Sequence, residues 1–172
     1  MKRIVFYAAV CALGLSGACA GVMARAQSKD EQEIRALEDK FAAAFNAKDV
    51  DAIMKLYVPG DELLVFDLAP PRQYVGWDAY KKDWQGVFAS MPGALKFEVR
   101  DLGITTDGRL GWSHSIQQLN WTGPGGKPME ITVRVTDCYR KVDGKWLIAL
   151  EHVSVPVDLS GPAPTPDLMS KP

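Results

Sequence analysis

The sequence lacks the motifs that identify most enzyme classes. It contains no glycine-rich phosphate-binding loop and no motif around a nucleophilic serine or cysteine. Its two histidines have no cluster of cysteines near them, so the sequence gives little basis for a metal site. We therefore expect no cofactor and no metal ion. The chemistry that remains is that of carboxylates, histidines and aromatic side chains in a cavity.

An excess of charge of either sign is also missing. The 172 residues include 20 basic and 21 acidic ones, which gives a net charge of -1 with no block of like charge. Such a chain does not attract nucleic acid, so nucleic acid is not expected as a partner. The length and the apolar content of 47% fit one globular domain with its own core, and no internal repeat divides the chain.

The first 26 residues differ from the rest of the chain. A basic pair follows Met1, an apolar run covers residues 4–15, and the small-x-small sequence of a secretory cleavage site ends at Ala26. The apolar run is shorter than the ~20 residues that span a bilayer. We therefore predict a signal peptide over residues 1–26 and a periplasmic or secreted mature protein with no stable membrane association. An uncleaved anchor helix, cleavage after Ala20 and lipoprotein processing at Cys19 are the alternatives.

Cysteine is scarce in the predicted mature chain. Removal of the leader takes away two of the three cysteines and leaves Cys138, which excludes an intramolecular disulfide. It also takes away three of the 20 basic residues, so 17 remain against 21 acidic ones and the net charge becomes -4.

The first part of the mature chain has helical signals. Residues 28–31, Ser-Lys-Asp-Glu, form a capping box, and the apolar residues that follow recur at helical spacing. Asp49 is placed to cap a second, short helix. After a short apolar strand over residues 63–67, a third helix begins near Trp77 and ends at Met91.

From residue 95 onward the pattern is that of strands. Strands are predicted over residues 95–104 and 110–122, and a long hairpin over residues 130–158 turns at Asp143-Gly144, a strong signal for a two-residue turn. Helices followed by a strand meander indicate an α+β domain in which the helices pack on one side of an antiparallel sheet.

Asp137 is a charged residue in a largely apolar row of side chains on one face of the long hairpin. Side chains alternate along a strand, which places Asp137 in a row with Val133, Val135 and Tyr139. A carboxylate in a row that faces the core either meets a partner or has its pKa raised, and both are common at functional sites. We predict that Asp137 reaches a pocket.

Other candidate pocket residues come from aromatic and polar positions on the predicted elements. On the middle strand Trp112, His114 and Gln118 share one face, from which His114 and Gln118 can supply hydrogen bonds inside a cavity. Structural packing is the competing interpretation for His114 and for the aromatic stripe of the third helix. The predicted pocket wall comprises Tyr57, Trp77, Tyr80, Trp84, Trp112, His114 and Gln118. On the last strand, Trp146, Ile148, Leu150 and His152 are predicted to share a face and to pack.

The order of elements, with the ending DGKWLIALEHVSVP, resembles the SnoaL-like group of the nuclear transport factor 2-like superfamily over residues 28–158. The resemblance implies an α+β cone in which a curved, mixed, mostly antiparallel sheet wraps three N-terminal helices and encloses one pocket. It also implies a homodimer through the outer face of the sheet, where we place Thr132, Arg134, Thr136, Cys138, Leu147, Ala149, Val153 and Val155. The predicted domain covers residues 27–158, and the proline-rich residues 159–172 are expected to be disordered.

Two segments are similar to ketosteroid isomerase in particular. The segment LLVFDLAPPRQYVG places Asp67 where that enzyme has its proton-shuttling aspartate, and VTDCYRKVDGKW places Asp137 where it has a second, protonated aspartate. Phe41 falls where that enzyme has the tyrosine of its oxyanion hole.

Two functions fit these residues. The first is an enzyme that moves a proton on a small apolar or aromatic substrate, with Asp67 as the ionised base and Asp137 as a hydrogen-bond donor to the developing oxyanion. The second is a binding protein that uses the same pocket for a small molecule without turnover. The group's reactions are too diverse for the resemblance to decide between them.

Overall fold

The computed structural model describes residues 27–160 and the backbone of Thr165–Pro166. The predicted signal peptide and most of the predicted disordered tail lie outside the described residues. Within them the chain is an α+β domain of three helices and a mixed, mostly antiparallel sheet, which confirms the predicted fold class.

The helices begin where the sequence signals place them. They are α1 (Lys29–Ala47), α2 (Val50–Met54) and α3 (Trp77–Ser90). The capping box is present, since Glu31 N–H donates to Ser28 Oγ over 3.1 Å and Ser28 N–H donates to Glu31 Oε2 over 2.7 Å. Asp49 caps α2 by accepting from the Ala52 N–H. None of the helices in the described part of the chain is long and apolar enough to cross a membrane.

Six strands form one sheet, in the order β2-β1-β6-β5-β4-β3. Neighbouring strands run antiparallel except β1 and β6, which run parallel and make the sheet mixed. The strands are β1 (Leu64–Phe66), β2 (Tyr74–Val75), β3 (Leu95–Thr106), β4 (Leu110–Thr122), β5 (Pro128–Val142) and β6 (Lys145–Ser154). A separate pair joins β7 (Val157–Asp158) to β8 (Thr165–Pro166), so one short strand lies within the predicted tail.

The β5–β6 hairpin turns at the predicted dipeptide. Val142 pairs with Lys145, and the two residues between them, Asp143 and Gly144, have φ of 49° and 77°. Positive φ at both central residues suits the right-handed twist of the strands, and Asp-Gly tolerates it. The prediction of a two-residue turn is confirmed.

A bulge in β6 changes which side chains face inward. Tyr139 pairs with Ile148 and Cys138 pairs with Leu150, so Ala149 is an extra residue in β6. Before the bulge, Trp146 and Ile148 are buried as predicted.

Beyond the bulge, Glu151 and Val153 face the interior, whereas Leu150 is only half-buried and His152 is exposed. The predicted continuous face through Leu150 and His152 is therefore wrong, and so is the outer position predicted for Val153. One extra residue reverses the alternation of every side chain that follows it.

The core lies between the helices and the inner face of the sheet, and aromatic rings dominate one half of it. Phe45 stacks on Phe97 with ring centroids 4.2 Å apart, and it meets Trp84 edge-on at 5.3 Å. Phe41 contacts both Trp84 and Phe97 edge-on. These contacts fix the position of α3 over β3, and they form one end of the cavity described below.

Candidate functional site

A cavity of about 270 Å³ opens between helices α1 and α3 and the inner face of the sheet. Most of its wall is apolar, and aromatic rings supply much of it: Phe41, Phe45, Trp84, Phe97 and Trp121. Carboxyl, hydroxyl and amide groups reach the wall at a few positions: Asp67, Tyr80, Asp83, Gln117 and Glu151. An apolar cavity with a few convergent polar groups is the usual form of a small-molecule site.

Tyr80 connects two carboxyl groups on the cavity wall. Its hydroxyl donates to Glu151 Oε1 over 2.6 Å and lies 3.3 Å from Asp67 Oδ2. A phenol carries one proton and donates to one carboxylate at a time, so the shorter distance favours Glu151. When Asp67 is protonated it can in turn donate to the phenol oxygen. The three groups therefore form a short path along which a proton can move.

Asp67 stands just after β1, at the edge of the cavity. Burial raises the pKa of its carboxyl, and the nearby charge of Asp83 adds to this, while the Leu68 N–H donates to Oδ1 and opposes the change. The structure thus places Asp67 on the wall, but its pKa moves upward, which works against the full ionisation expected of a base.

Glu151 is 5% exposed and is fixed by two tyrosines. Besides the bond from Tyr80, the Tyr57 hydroxyl donates to Glu151 Oε2 over 2.6 Å. Burial raises the pKa of Glu151 to about 7 although both hydrogen bonds favour the charged form. Tyr57 is buried behind the wall rather than on it, so it acts on the cavity only through Glu151. Simple alternation along β6 predicted that Leu150 and His152 face inward. Because the bulge reverses the alternation, Glu151 faces inward instead, and it was not predicted to line the cavity.

Asp137 is buried on the inner face of β5, directly opposite Glu151 on β6 and Ser113 on β4. It is 2% exposed, it is not among the residues that line the cavity, and its Oδ1 has no hydrogen-bond partner within the described residues. Burial raises its pKa well above the usual range, and the neighbouring carboxyls of Glu38 and Glu151 raise it further. The raised pKa inferred from strand alternation is confirmed, while a contact with ligand stays a prediction.

Glu38 is a third buried carboxyl, which was not predicted from the sequence. The Tyr139 hydroxyl donates to Glu38 Oε1 over 2.7 Å and lies 2.7 Å from Ser113 Oγ. Burial raises the pKa of Glu38 to about 7, against the hydrogen bond from Tyr139. The helical pattern contained the signal, because Glu38 lies one turn after the fully buried Ile34.

Glu38, Asp137 and Glu151 make up what we term the carboxyl cluster. No lysine or arginine of the described residues forms an ion pair with any of the three. Within the described residues, no group of acidic, histidine and cysteine side chains could hold a metal ion. Without a cation the three carboxyls cannot all be charged, so the cluster retains protons at a pH where exposed carboxyls have lost theirs.

The predicted face of β4 is the wrong one. Trp112 is 47% exposed and stands beside the exposed His114 on the outer side of the sheet, and Gln118 bonds there to Glu130. The inward face instead carries smaller polar side chains: Ser113, Ser115 and Gln117. Alternation defines two faces but does not say which is inside. Further along the same inward face, Leu119 and Trp121 line the cavity.

The predicted aromatic residues of α3 divide into two groups. Tyr80 and Trp84 line the cavity as predicted, and the Trp84 Nε1 is buried without a partner in the described residues. Trp77 does not line it, because its Nε1 donates to the Met54 carbonyl over 2.8 Å and its ring lies under the Lys81 ammonium. Trp77 therefore fastens the start of α3 to the end of α2.

Comparison with known proteins agrees with this architecture. A family model of the SnoaL-like domain matches residues 34–158. An NTF2-like protein of unknown function from Pseudomonas putida KT2440 is 28% identical with a TM-score of 0.71, and the match covers 82% of this chain and 96% of that one. No functionally curated protein matches the chain significantly.

Two more distant structures show the same fold. A ketosteroid isomerase-like protein from Erwinia carotovora atroseptica SCRI1043 is 19% identical with a TM-score of 0.63, over 74% of this chain and 96% of that one. A putative dehydratase from the NTF2-like family of Streptomyces avermitilis is 13% identical with a TM-score of 0.65, over 72% of this chain and 94% of that one. Given the family match over residues 34–158, this chain belongs to the SnoaL-like family of the nuclear transport factor 2-like superfamily.

Proposed function

We propose that this protein binds a small apolar or aromatic molecule in the cavity and transfers a proton on it. The observation that carries the proposal is the pair of carboxyls, Asp67 and Glu151, joined through the Tyr80 hydroxyl on an otherwise largely apolar wall. Two structures with the same fold are described as ketosteroid isomerase-like and as a putative dehydratase.

Each group has a distinct role in this mechanism. Asp67, in its ionised form, removes a proton from the ligand, and Tyr80 connects Asp67 to Glu151. The proton held by Asp67 can then pass to the Tyr80 oxygen while Tyr80 gives its own proton to Glu151. A carboxyl with a pKa of about 7 is suited to exchange protons near neutral pH.

Asp137 enters this mechanism as a positioning residue. It faces Glu151 across two paired strands and is not part of the cavity wall, so its effect on the ligand passes through Glu151. A protonated Asp137 leaves Glu151 free to ionise, whereas a charged one opposes it. The direct hydrogen bond from Asp137 to a ligand, which the sequence suggested, stays a prediction.

The test combines binding with a measurement of proton exchange. A small aryl ketone is titrated against the protein with tryptophan fluorescence as the signal, because Trp84 and Trp121 line the cavity. Loss of the protons next to its carbonyl is then followed by NMR in D2O. Asp67→Asn is expected to abolish exchange and to retain binding, because the base acts only in the chemical step. Asp78→Asn, an exposed change on α3, is the matched control and should change neither.

A non-catalytic binding protein is the second candidate. Phe41 favours it, because this residue lines the cavity at the position where the resemblance to ketosteroid isomerase would require a tyrosine, and it has no hydroxyl to offer. Tight binding with exchange no faster than in buffer supports this candidate. Absence of both binding and exchange contradicts the two together.

We further propose export to the periplasm or the medium and dimerisation through the outer face of the sheet. Export is supported by the leader-like composition of residues 1–26. Dimerisation is supported by the large apolar side chains that the outer face leaves in solvent, among them Leu110 at 62% and Trp112 at 47% exposure.

A further inference from the structure

Among the residues that the structure describes, the cavity wall carries acidic groups and no basic one. Asp67, Asp83 and Glu151 line it, and no described lysine, arginine or histidine does so. None of the three carboxyls forms an ion pair in the described part of the chain. The Lys48 ammonium, beyond the Met91 end of the cavity, is already bound to the backbone carbonyls of Met91 and Gly93.

Two of the carboxyls on the wall are near each other. The Tyr74 hydroxyl donates to Asp83 Oδ1 over 2.5 Å, and Asp83 on α3 is close enough to Asp67 for its charge to raise the pKa of Asp67. Like charges this near raise the free energy of the empty site, and a positive group placed between them would lower it.

Aromatic rings surround the remaining space. Trp84 meets Phe41 at 5.9 Å and Phe45 at 5.3 Å between ring centroids, and both rings also line the cavity. Such rings offer a large apolar surface to the non-polar part of a ligand. The indole nitrogen of Trp84, which is 7% exposed overall, has no partner within the described residues, so this part of the wall is left with an unused donor.

From this arrangement we infer that the ligand is an organic amine, whose ammonium group lies at the carboxyls of Asp67 and Asp83 and whose apolar part fills the aromatic end of the cavity. The inference rests on the proposed function, since it specifies the ligand of the same cavity. It excludes carboxylates and phosphates as ligands, because a wall with three carboxyls and no cation repels them.

Three molecules of matched length and shape test the charge: 4-phenylbutylamine, 4-phenylbutanol and 4-phenylbutyrate. Each is titrated into the purified protein at pH 8 with tryptophan fluorescence or calorimetry. We expect the amine to bind at least ten times more tightly than the alcohol, and the carboxylate to show no binding up to millimolar concentration. Asp67→Asn and Asp83→Asn should each weaken binding of the amine by about five- to tenfold and leave binding of the alcohol unchanged. The control Asp78→Asn should change neither affinity.

The pH dependence supplies a second measurement. Several groups lie around Glu151: Asp67 at the end of β1, Tyr57 beside α2, Tyr80 on α3, Asp137 on β5 and Glu38 on α1. Within the described part of the chain Glu151 forms no ion pair. An ammonium in the cavity favours the ionised form of Glu151, so amine binding should release a proton and strengthen between pH 6 and pH 8. Glu151→Gln should remove this dependence. The alcohol should bind equally at both pH values.

The outcomes separate the two proposals. If the alcohol or the carboxylate binds as tightly as the amine, the cavity is a ligand site but the inferred amine class is wrong. If none of the three binds, the proposed function fails together with this inference.

Discussion

The carboxyl cluster should make the folded protein less stable as the pH rises from acidic to neutral. Glu38 has a pKa of about 7 in the folded protein against an ordinary value of 4.5. Between these two values the folded state holds a proton that the unfolded state has released, so stability falls as the pH rises. Each pH unit corresponds to about 1.4 kcal/mol for one group. Ionisation of Glu38 therefore lowers the free energy of unfolding by about 3 kcal/mol in total, and nearly all of this decrease has occurred by pH 8.

Glu38→Gln isolates this effect. Glutamine keeps an oxygen to accept from Tyr139 and presents an N–H₂ where the protonated acid has its O–H, but it does not ionise. At pH 5 the variant and the wild type should have similar stability. At pH 8 the variant should be more stable by about 2–3 kcal/mol, because the wild type then carries a buried charge without a cation.

Urea unfolding followed by circular dichroism at pH 5, 6, 7 and 8 measures the difference. Glu130→Gln is the control, since Glu130 is exposed on β5 and its substitution should leave the pH dependence of the wild type intact. Carboxyls with lowered pKa values, such as Asp30 and Glu98, titrate below this range and do not affect it. A wild-type stability that stays flat or rises between pH 5 and pH 8, or a Glu38→Gln variant with the wild-type slope, would refute the reasoning.

Three further predictions address other parts of the chain. Ser28→Ala removes the side-chain half of the capping box and should lower the free energy of unfolding by about 1 kcal/mol in urea titrations; no change would contradict the cap's role. N-terminal sequencing of the exported protein should begin at Gln27, and a chain that retains Met1 would contradict cleavage. Light scattering at micromolar concentration should give twice the mass of one chain, and Trp112→Lys on the outer face should restore the monomer mass. A wild-type monomer would contradict the dimer.

Local signals in the sequence were sufficient for the three helices, for β1 and for the four long strands, but not for the short strands β2, β7 and β8. The capping box at Ser28 and the turn at Asp143-Gly144 each act within a few residues, and the structure has both. Asp137 was identified because it interrupts an apolar alternation, which is a property of one strand. The family resemblance then added the mixed sheet, which no local pattern shows.

The composition of the cavity wall was harder to predict, for two physical reasons. The inward face of β4 carries Ser113 and Gln117 at one end and Leu119 and Trp121 at the other, and alternation alone did not show that this face, rather than the face of Trp112 and His114, is inside. In β6 the sequence has no mark for the extra residue, because a bulge is defined by pairing with a partner strand. The inward position of Glu151 therefore could not be predicted from the sequence of β6 alone.

The extra residue Ala149 also links the shape of the site to its chemistry. A bulge bends and twists the strand that contains it, which helps a sheet to curve around helices. The same residue sets which side chain of β6 arrives on the cavity wall, and here it is a carboxyl. Insertions or deletions in this one strand would thus alter the concavity of the sheet and the acid within it together, so relatives that differ in the length of β6 should differ in ligand and in reactivity as well as in cavity volume.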